Sequence, residues 1–451
     1  MAEIDRLEPV VGSHTPSPED HGRQVRRVAY SSLLGTVIEY YDFLLYSTMA
    51  ALVFGELFFP NSSGAVSTIA AFGTLAAGYL ARPIGGVLFG HFGDRLGRKS
   101  MLILSMSLMG GASVLIGVLP TYHTIGIAAP ILLVAFRVVQ GIAVGGEWGG
   151  AALMVIEHAE SDKRGRWAGI MLMGSPIGSI LSTLAVMGVT LLPESSFMSW
   201  GWRVPFLISA LLLAIGLYVR LSVVESPVFQ KAAEIPSVRK RDRIPALEIL
   251  RRPRALLLAT AVGIGPFVLT ALISSHILAY APSIGYEKAD VVRTLLFTSG
   301  ISLVCIPLFS ALSDRIGRRV VSLGGAVGAI VFAFPLYAMV GTGSVAVMTL
   351  ALMVAMVAQN ALYAPLAPML SEMFGTGVRY TGISMGYQLA SLIGAGFTPM
   401  IAASLVAADD NSSQSLSILM IGGAAITIIG LARLTESRGR DLTADITPSS
   451  V

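Results

Sequence analysis

Charge is scarce in this sequence. Of 451 residues, 13% are Asp, Glu, Lys or Arg and 54% are apolar, whereas soluble domains carry about 25% charged residues. A chain so poor in charge does not cover a water-facing surface, which sets aside the roughly three soluble domains its length would otherwise suggest. Cysteine occurs once, as Cys305 inside an apolar stretch, so an intramolecular disulfide framework is excluded. No Gly-x-x-x-x-Gly-Lys-Ser/Thr loop is present, which argues against ATP-driven work. A Cys/His metal cluster and a strand-linked Gly-x-Gly-x-x-Gly are missing too, and with them the metal and dinucleotide enzymes. The polar first 28 residues, with Arg23, Arg26 and Arg27, lack the apolar core of a cleavable signal peptide, so the first span is expected to stay as an anchor.

What is present is apolar sequence in blocks of membrane length. Twelve spans are expected: 28–54, 66–89, 101–119, 125–158, 165–191, 202–223, 255–280, 291–313, 320–341, 344–372, 381–407 and 416–434. Each must be a helix, because backbone amides in hydrocarbon are satisfied only within the segment. An even count places both termini on one side. With that side cytoplasmic, inside positions hold roughly 26 of the 31 Lys and Arg. The net charge of +4 is therefore topological and does not point to a nucleic-acid partner.

The expected organisation is a tail (1–27), a six-helix half (28–223), a basic linker (224–254), a second half (255–434) and a tail (435–451). The linker, with Arg239, Lys240, Arg241, Arg243, Arg251 and Arg252, reads as a solvated segment along the cytoplasmic surface. A repeat supports the division. Gly90-His-Phe-Gly-Asp94-Arg95-Leu-Gly97-Arg98-Lys99 follows the second span, and Ser310-Ala-Leu-Ser-Asp314-Arg315-Ile-Gly317-Arg318-Arg319 follows the eighth, an offset of 220 residues. Duplicated six-helix halves are a transporter plan.

The first of these motifs resembles the loop 2–3 signature of the major facilitator superfamily; the second departs from it at Ser310. Gly35-Thr-Val-Ile-Glu39-Tyr-Tyr-Asp42-Phe43, Arg137-Val-Val-Gln140-Gly141, Gly145-Gly-Glu147-Trp148-Gly149-Gly150, Gly201-Trp-Arg203-Val-Pro205-Phe206, Glu225-Ser226-Pro227 and Arg379-Tyr-Thr-Gly382 resemble its metabolite:proton symporter branch. Phe89-Gly-His-Phe-Gly-Asp94 and Gly396-Phe-Thr-Pro399 are similar to the bacterial shikimate-type transporters within it. The resemblance implies an all-α fold of two six-helix halves in the bacterial inner membrane. It further implies proton-driven uptake of small organic acids or zwitterionic osmolytes, with no cofactor and no obligatory protein partner. Osmosensing members carry a long C-terminal coiled coil. About 17 residues follow the last expected span, too few for several heptads.

Charged groups in a bilayer cost several kcal/mol, so Glu39, Asp42, Arg82, Arg137 and Glu147 are functional candidates by default. Glu39, Asp42, Phe43 and Tyr46 share one face of the first helix. Glu39 and Asp42 lie roughly 13–20 Å deep, and Arg82 about 12 Å deep, so these groups can meet. A buried carboxylate that loses its cation partner to an incoming anion takes up a proton; a static ion pair is the alternative. Arg137 or Arg82 offers a planar fork that matches a substrate carboxylate. For Arg137, proton coupling through a nearby acid and a structural pair with Glu147 remain open. Glu147 is read either as a proton relay or as half of a structural pair. Tyr41, Tyr46, Gln140, Gln359, Asn360, Tyr363 and Gln388 are candidates for substrate hydroxyls, or else for helix–helix hydrogen bonds. Gly141, Gly145 and Gly149 form a close-packing stripe, as do Gly382, Gly386, Ala390 and Gly394.

Asp94, Arg95, Arg98, Asp314, Arg315 and Arg318 stand at the membrane surface. Together with Glu157, Glu372 and Arg379 they are expected to form inter-helix ion pairs that latch the cytoplasmic side. Singly such pairs are worth little, so a latch needs a network. A hydroxylated carboxylate such as shikimate is the leading substrate. A keto- or dicarboxylate, a proline- or betaine-type osmolyte, an efflux antiporter and a transport-inactive sensor are the alternatives.

Overall fold

The computed structural model describes residues 18–60, 64–233, 245–251, 253–408 and 413–442. Among them there is no strand. Eleven helices are long and apolar enough to cross a membrane. They are α1 (Asp20–Phe58), α3 (Arg98–Val118), α4 (Ala128–His158), α5 (Arg164–Thr190), α6 (Gly201–Leu221), α7 (Pro253–Ser283), α8 (Lys288–Ile316), α9 (Arg318–Val340), α10 (Val345–Met373), α11 (Arg379–Val406) and α12 (Gln414–Ala432). Gly64–Leu96, a helix of 33 residues, is α2. The chain is a multi-pass membrane protein.

Three boundaries differ from those expected from sequence. Helix already runs from Pro18, because the polar turn carrying Arg23, Arg26 and Arg27 simply continues α1 beyond the apolar run. The expected fourth span divides at Gly126, whose φ of 58° suits glycine and separates the short helix Tyr122–Ile125 from α4. The linker is not only a solvated strand of chain. It carries helices Pro227–Ala233 and Pro245–Arg251, and the second buries Pro245, Ala246 and Ile249 against α2, α7 and α11. Arg239, Lys240, Arg241, Arg243 and Arg252 lie outside the described residues.

The repeat is visible in the backbone. Gly97 ends the turn between α2 and α3 at φ 105°, and Gly317 ends that between α8 and α9 at φ 107°. Both angles exclude side-chain-bearing residues at little cost only to glycine. Within the first half, α2 lies against α4 with almost no separation. A methyl built on Gly141 would overlap the Gly78 carbonyl, and one on Gly145 the Arg82 carbonyl. The stripe on α11 serves likewise: Gly386 meets Ala259 of α7, and Gly394 meets Phe267. Backbone contact this close leaves no room for relaxation, so Gly145→Val should cost more than the ~1–3 kcal/mol of ordinary overpacking. The expected result is loss of the monodisperse peak in size-exclusion of the detergent-solubilised protein; a normal peak would disprove the packing argument.

Apolar clusters show where the halves join. One fills the first half away from the termini (Tyr46, Phe54, Phe58, Trp202, Phe206) and another the second half at the same level (Leu272, Tyr280, Ala333, Tyr337, Met420). A third runs through both halves on the side that holds the linker and the helix ends at Leu96 and Ile316, here called the terminal face (Leu102, Trp148, Ile156, Leu370, Tyr380, Tyr387). There α2 meets α11 at Gly90–Thr381 and Gly93–Tyr380, while α5 meets α8 at Gly165 and Gly169 against Ser310. The molecule is closed at its terminal face.

Three of the long helices contain a π-helical stretch: Ala50–Phe54 in α1, Ala271–His276 in α7 and Leu392–Gly396 in α11. The last lies just before Pro399, whereas Pro266 and Pro307 sit inside continuous helix.

Candidate functional site

Helices α1, α2 and α4 bring Glu39, Asp42, Phe43, Gly78, Arg82 and Arg137 to the wall of one small cavity, completed by Met109, Gln140, Gly141 and Val144. Glu39 and Asp42 reach it from one face of α1, as the three-residue spacing requires. Gly78 lets the Arg137 stem pass, for a methyl there would come within 2.8 Å of Arg137 Nε.

The charges in this cavity are held by weak partners. Phe43 stands between the two guanidiniums, with Arg82 at 5.1 Å and Arg137 at 5.6 Å from its ring centre. Tyr79 flanks Arg82 at 4.2 Å, and Tyr46 flanks Arg137 at 4.3 Å. Aromatic faces attract cations without neutralising them. Arg137 Nη1 donates to Gln140 (3.2 Å), whose amide donates to Ser113 (2.6 Å). None of the ion pairs among the described residues includes Arg82 or Arg137. Asp42 Oδ1 accepts from Ser209 (2.6 Å). Asp42 Oδ2 and Glu39 Oε2 are buried and take no hydrogen bond from the described residues. Two cations and two acids thus share one small volume without being paired off.

Other candidates fall elsewhere. Glu147 is paired with Arg220 of α6 and accepts from Ser105, both fully buried; its partner is therefore not Arg137. Gly35 makes room for this pair. Tyr41 donates to the Pro205 carbonyl (2.8 Å), Tyr46 to Thr74 (2.6 Å), Gln359 to Thr270 (2.8 Å) and Asn360 to Ser302 (2.9 Å). These are helix–helix bonds, and only the Tyr46 ring touches the site. Gln388 of α11 donates to the carbonyls of Val144 and Gly145 in α4 at 3.3 Å, bridging the halves. Tyr363 belongs to a chain of phenols: Tyr40 to Tyr363 at 3.4 Å, and Tyr363 to Tyr387 at 3.2 Å. The Tyr387 ring stacks on Trp148 at 3.5 Å. Sequence reasoning missed Tyr40, Trp148 and Tyr387, because which neighbouring helix a tyrosine meets is not encoded in its spacing.

At the terminal face the loop acids and arginines form two copies of one arrangement. Glu157 accepts from Arg98 of its own half and Arg379 of the other, both at 3.2 Å, and from Ser226. Glu372 pairs with Arg318 of its own half (3.7 Å) and Arg164 of the other (3.3 Å), and accepts from Ser437 (2.6 Å). Asp94 accepts the first amides of α11, from Tyr380 (3.2 Å) and Thr381 (3.0 Å). Asp314 accepts those of α5, from Gly165 (2.8 Å) and Arg166 (2.7 Å). Carboxylates at helix N-termini satisfy free amides and oppose the helix dipole. The exposure expected of Arg98 and Arg318 at the surface needs correction: with Glu157, Glu372 and Arg379 they are at most 7% exposed, because the halves close over them. Arg95 and Arg315 are exposed. Arg164 takes the place in this network that sequence reading had left empty.

The profile of the Major Facilitator Superfamily matches residues 32–399. The chain is 40% identical over 419 residues to the shikimate transporter of Escherichia coli K12, covering 92% of this chain and 95% of that one. It is 32% identical to the proline/betaine transporter of the same strain, with 91% and 83% covered. Among solved structures, the proton:xylose symporter XylE bound to 6-bromo-6-deoxy-D-glucose superposes with a TM-score of 0.74 at 18% identity, over 94% of this chain and 98% of that one. At that identity the likeness speaks for the fold. The chain therefore belongs to the Major Facilitator Superfamily, and is a transporter rather than an enzyme.

Proposed function

We propose that the chain carries a small hydroxylated carboxylate inward together with a proton, across a bacterial plasma membrane with the terminal face cytoplasmic. One observation carries the reading: Arg82 and Arg137 flank Phe43 in one cavity with no carboxylate at ion-pair distance, beside two acids that are only partly satisfied. An anion placed between the guanidiniums would relieve their mutual repulsion and supply the bidentate partner their geometry fits. It would also draw the positive field away from Glu39 and Asp42, which then need a proton to stay buried. Substrate and proton thus favour each other's binding, and the gradient alone supplies the energy. Tyr40, Tyr363 and Tyr387, bonded to one another at distances longer than the usual ~2.7–2.8 Å, offer exchangeable partners for substrate hydroxyls as the halves part. The relatives' names support a carboxylate, and the mixed charge of the cavity also suits a zwitterion such as proline or betaine.

The loop network is proposed as the latch of alternating access, its inter-half bonds breaking when the terminal face opens. Glu147–Arg220, with both partners inside the first half, is assigned to holding that half rigid.

The test is uptake of labelled organic acids and osmolytes into proteoliposomes with and without an inward proton gradient. Accumulation of hydroxylated carboxylates only with the gradient is expected; equal uptake at every pH difference would overturn the coupling. Arg137→Lys, which keeps charge but loses the fork, should weaken half-saturation about tenfold; unchanged half-saturation would remove Arg137 from the substrate.

A further inference from the structure

The two copies of the loop network differ in one respect. In the first half Glu225 accepts the backbone N–H of Lys99 (3.1 Å), and Phe229, four residues on, lays its ring 4.6 Å from the Arg98 guanidinium. In the second half Glu436 accepts the backbone N–H groups of Arg318 and Arg319 at 3.0 and 3.1 Å. Four residues beyond Glu436 stands Arg440, where the first copy has Phe229. Among the described residues no aromatic ring covers Arg318. Instead a shallow cleft opens there, lined by Arg318, Arg319, Met369, Met373, Leu434 and Arg440.

This cleft is built for an anion. Arg318 is 1% exposed, yet its Nε–H finds no acceptor among the described residues, and neither does Nε–H of Arg319. A buried guanidinium N–H left without an acceptor costs free energy. Glu436, the carboxylate in the wall, is already engaged by the amides of Arg318, Arg319, Ser437 and Arg438. Thr435 holds Arg440 at the rim, at 2.7 Å. The floor is apolar, and beside it Ile316 and Val320, at the ends of α8 and α9, are about half exposed. Arginine donors above an apolar floor at the edge of a bilayer suit a headgroup whose acyl chains continue along the helices.

We propose that this cleft binds a phosphate group, that of an anionic phospholipid in the leaflet at the terminal face. Thermal unfolding of the purified full-length chain in detergent tests it, with phosphatidylglycerol, phosphatidylcholine or inorganic phosphate added. Phosphatidylglycerol should raise the midpoint by several degrees more than phosphatidylcholine does. Arg319→Gln should weaken that effect about tenfold in lipid concentration, the loss of one charge-assisted contact. Arg440→Phe, which copies the ring cover of the first half, should remove it while leaving the lipid-free midpoint near that of the parent protein. If Arg440→Phe does not fold, Arg319→Gln decides alone. An equal increment from inorganic phosphate would support the phosphate site and assign it to the free ion. Equal shifts from the two lipids, or a full increment kept by the variants, would overturn the proposal.

Discussion

Asp42→Asn is expected to abolish accumulation of substrate against its gradient while leaving exchange of labelled for unlabelled substrate intact. The asparagine keeps the shape and can still accept from Ser209, which lies 2.6 Å from Asp42 Oδ1. What it loses is the ability to change charge beside Arg137. A carrier without that change cycles only as a neutral exchanger, so gradient-driven uptake should fall at least ~100-fold, the scale set by a proton gradient of two pH units at about 1.4 kcal/mol per unit. Parallel measurements of uptake and counterflow on one preparation separate the two steps. Full accumulation by the variant would take Asp42 off the proton path and leave Glu39 to carry it. Loss of counterflow as well would show that the residue holds substrate or structure.

Glu157→Gln is expected to open the terminal face. Glu157 holds Arg98 and Arg379 at 3.2 Å, one from each half, with side-chain exposures of at most 1%. Removing the carboxylate leaves two arginines buried with Asp94 as the nearest acid, 4.0 Å from Arg98. Breaking a buried pair in this way costs about 3–5 kcal/mol. That cost falls on the closed state, since opening hydrates both arginines. The balance should therefore move toward the open form by on the order of 10²-fold or more. The reporter is Ser384→Cys in a Cys305→Ser background. Ser384 is buried where α11 faces Gly86 and Gly149, so a water-soluble maleimide reaches it only when the halves part. Labelling should accelerate strongly in Glu157→Gln, and Glu372→Gln should act alike through Arg164 and Arg318. An unchanged labelling rate in both would mean that the network does not latch.

Much of this molecule could be read from its sequence, because the bilayer imposes few choices. Apolar length specified helices, and the Gly97 and Gly317 turns announced the duplication before any coordinates. Glu39 and Asp42 were legible as a pair because i, i+3 spacing puts them on one helix face. Partners across helices were not. Glu147 was set against Arg137, its neighbour on α4, when the arginine that meets it is Arg220 of α6. Spacing within a helix says which way a side chain points and nothing of which helix lies opposite. The burial of the loop network was missed for a related reason: charges beside apolar spans look solvated until the second half of the chain folds over them. A signal for Arg164 and Ser437 did exist. Glu225-Ser226 recurs as Glu436-Ser437 at an offset of 211 residues, and Arg164 recurs as Arg379 at 215. Applying the repeat beyond its best-matching motif would have found them.

The wide turns in α1, α7 and α11 mark where this chain can be shortened. A π-helical turn accommodates one residue more than an α-turn, and each residue in a helix advances the next by about 100°. Because the wide turn takes up the advance of the extra residue, deleting a single residue from Ala271–His276 should restore regular winding and keep all that follows on its present face, whereas a deletion in the regular helix beside it would swing the remainder around the axis. Tyr280, whose ring meets Tyr337 at 6.1 Å, would stay in the bundle after the first deletion and turn out of it after the second. Single-residue loss is thus open to this stretch and closed to the regular helix on either side of it.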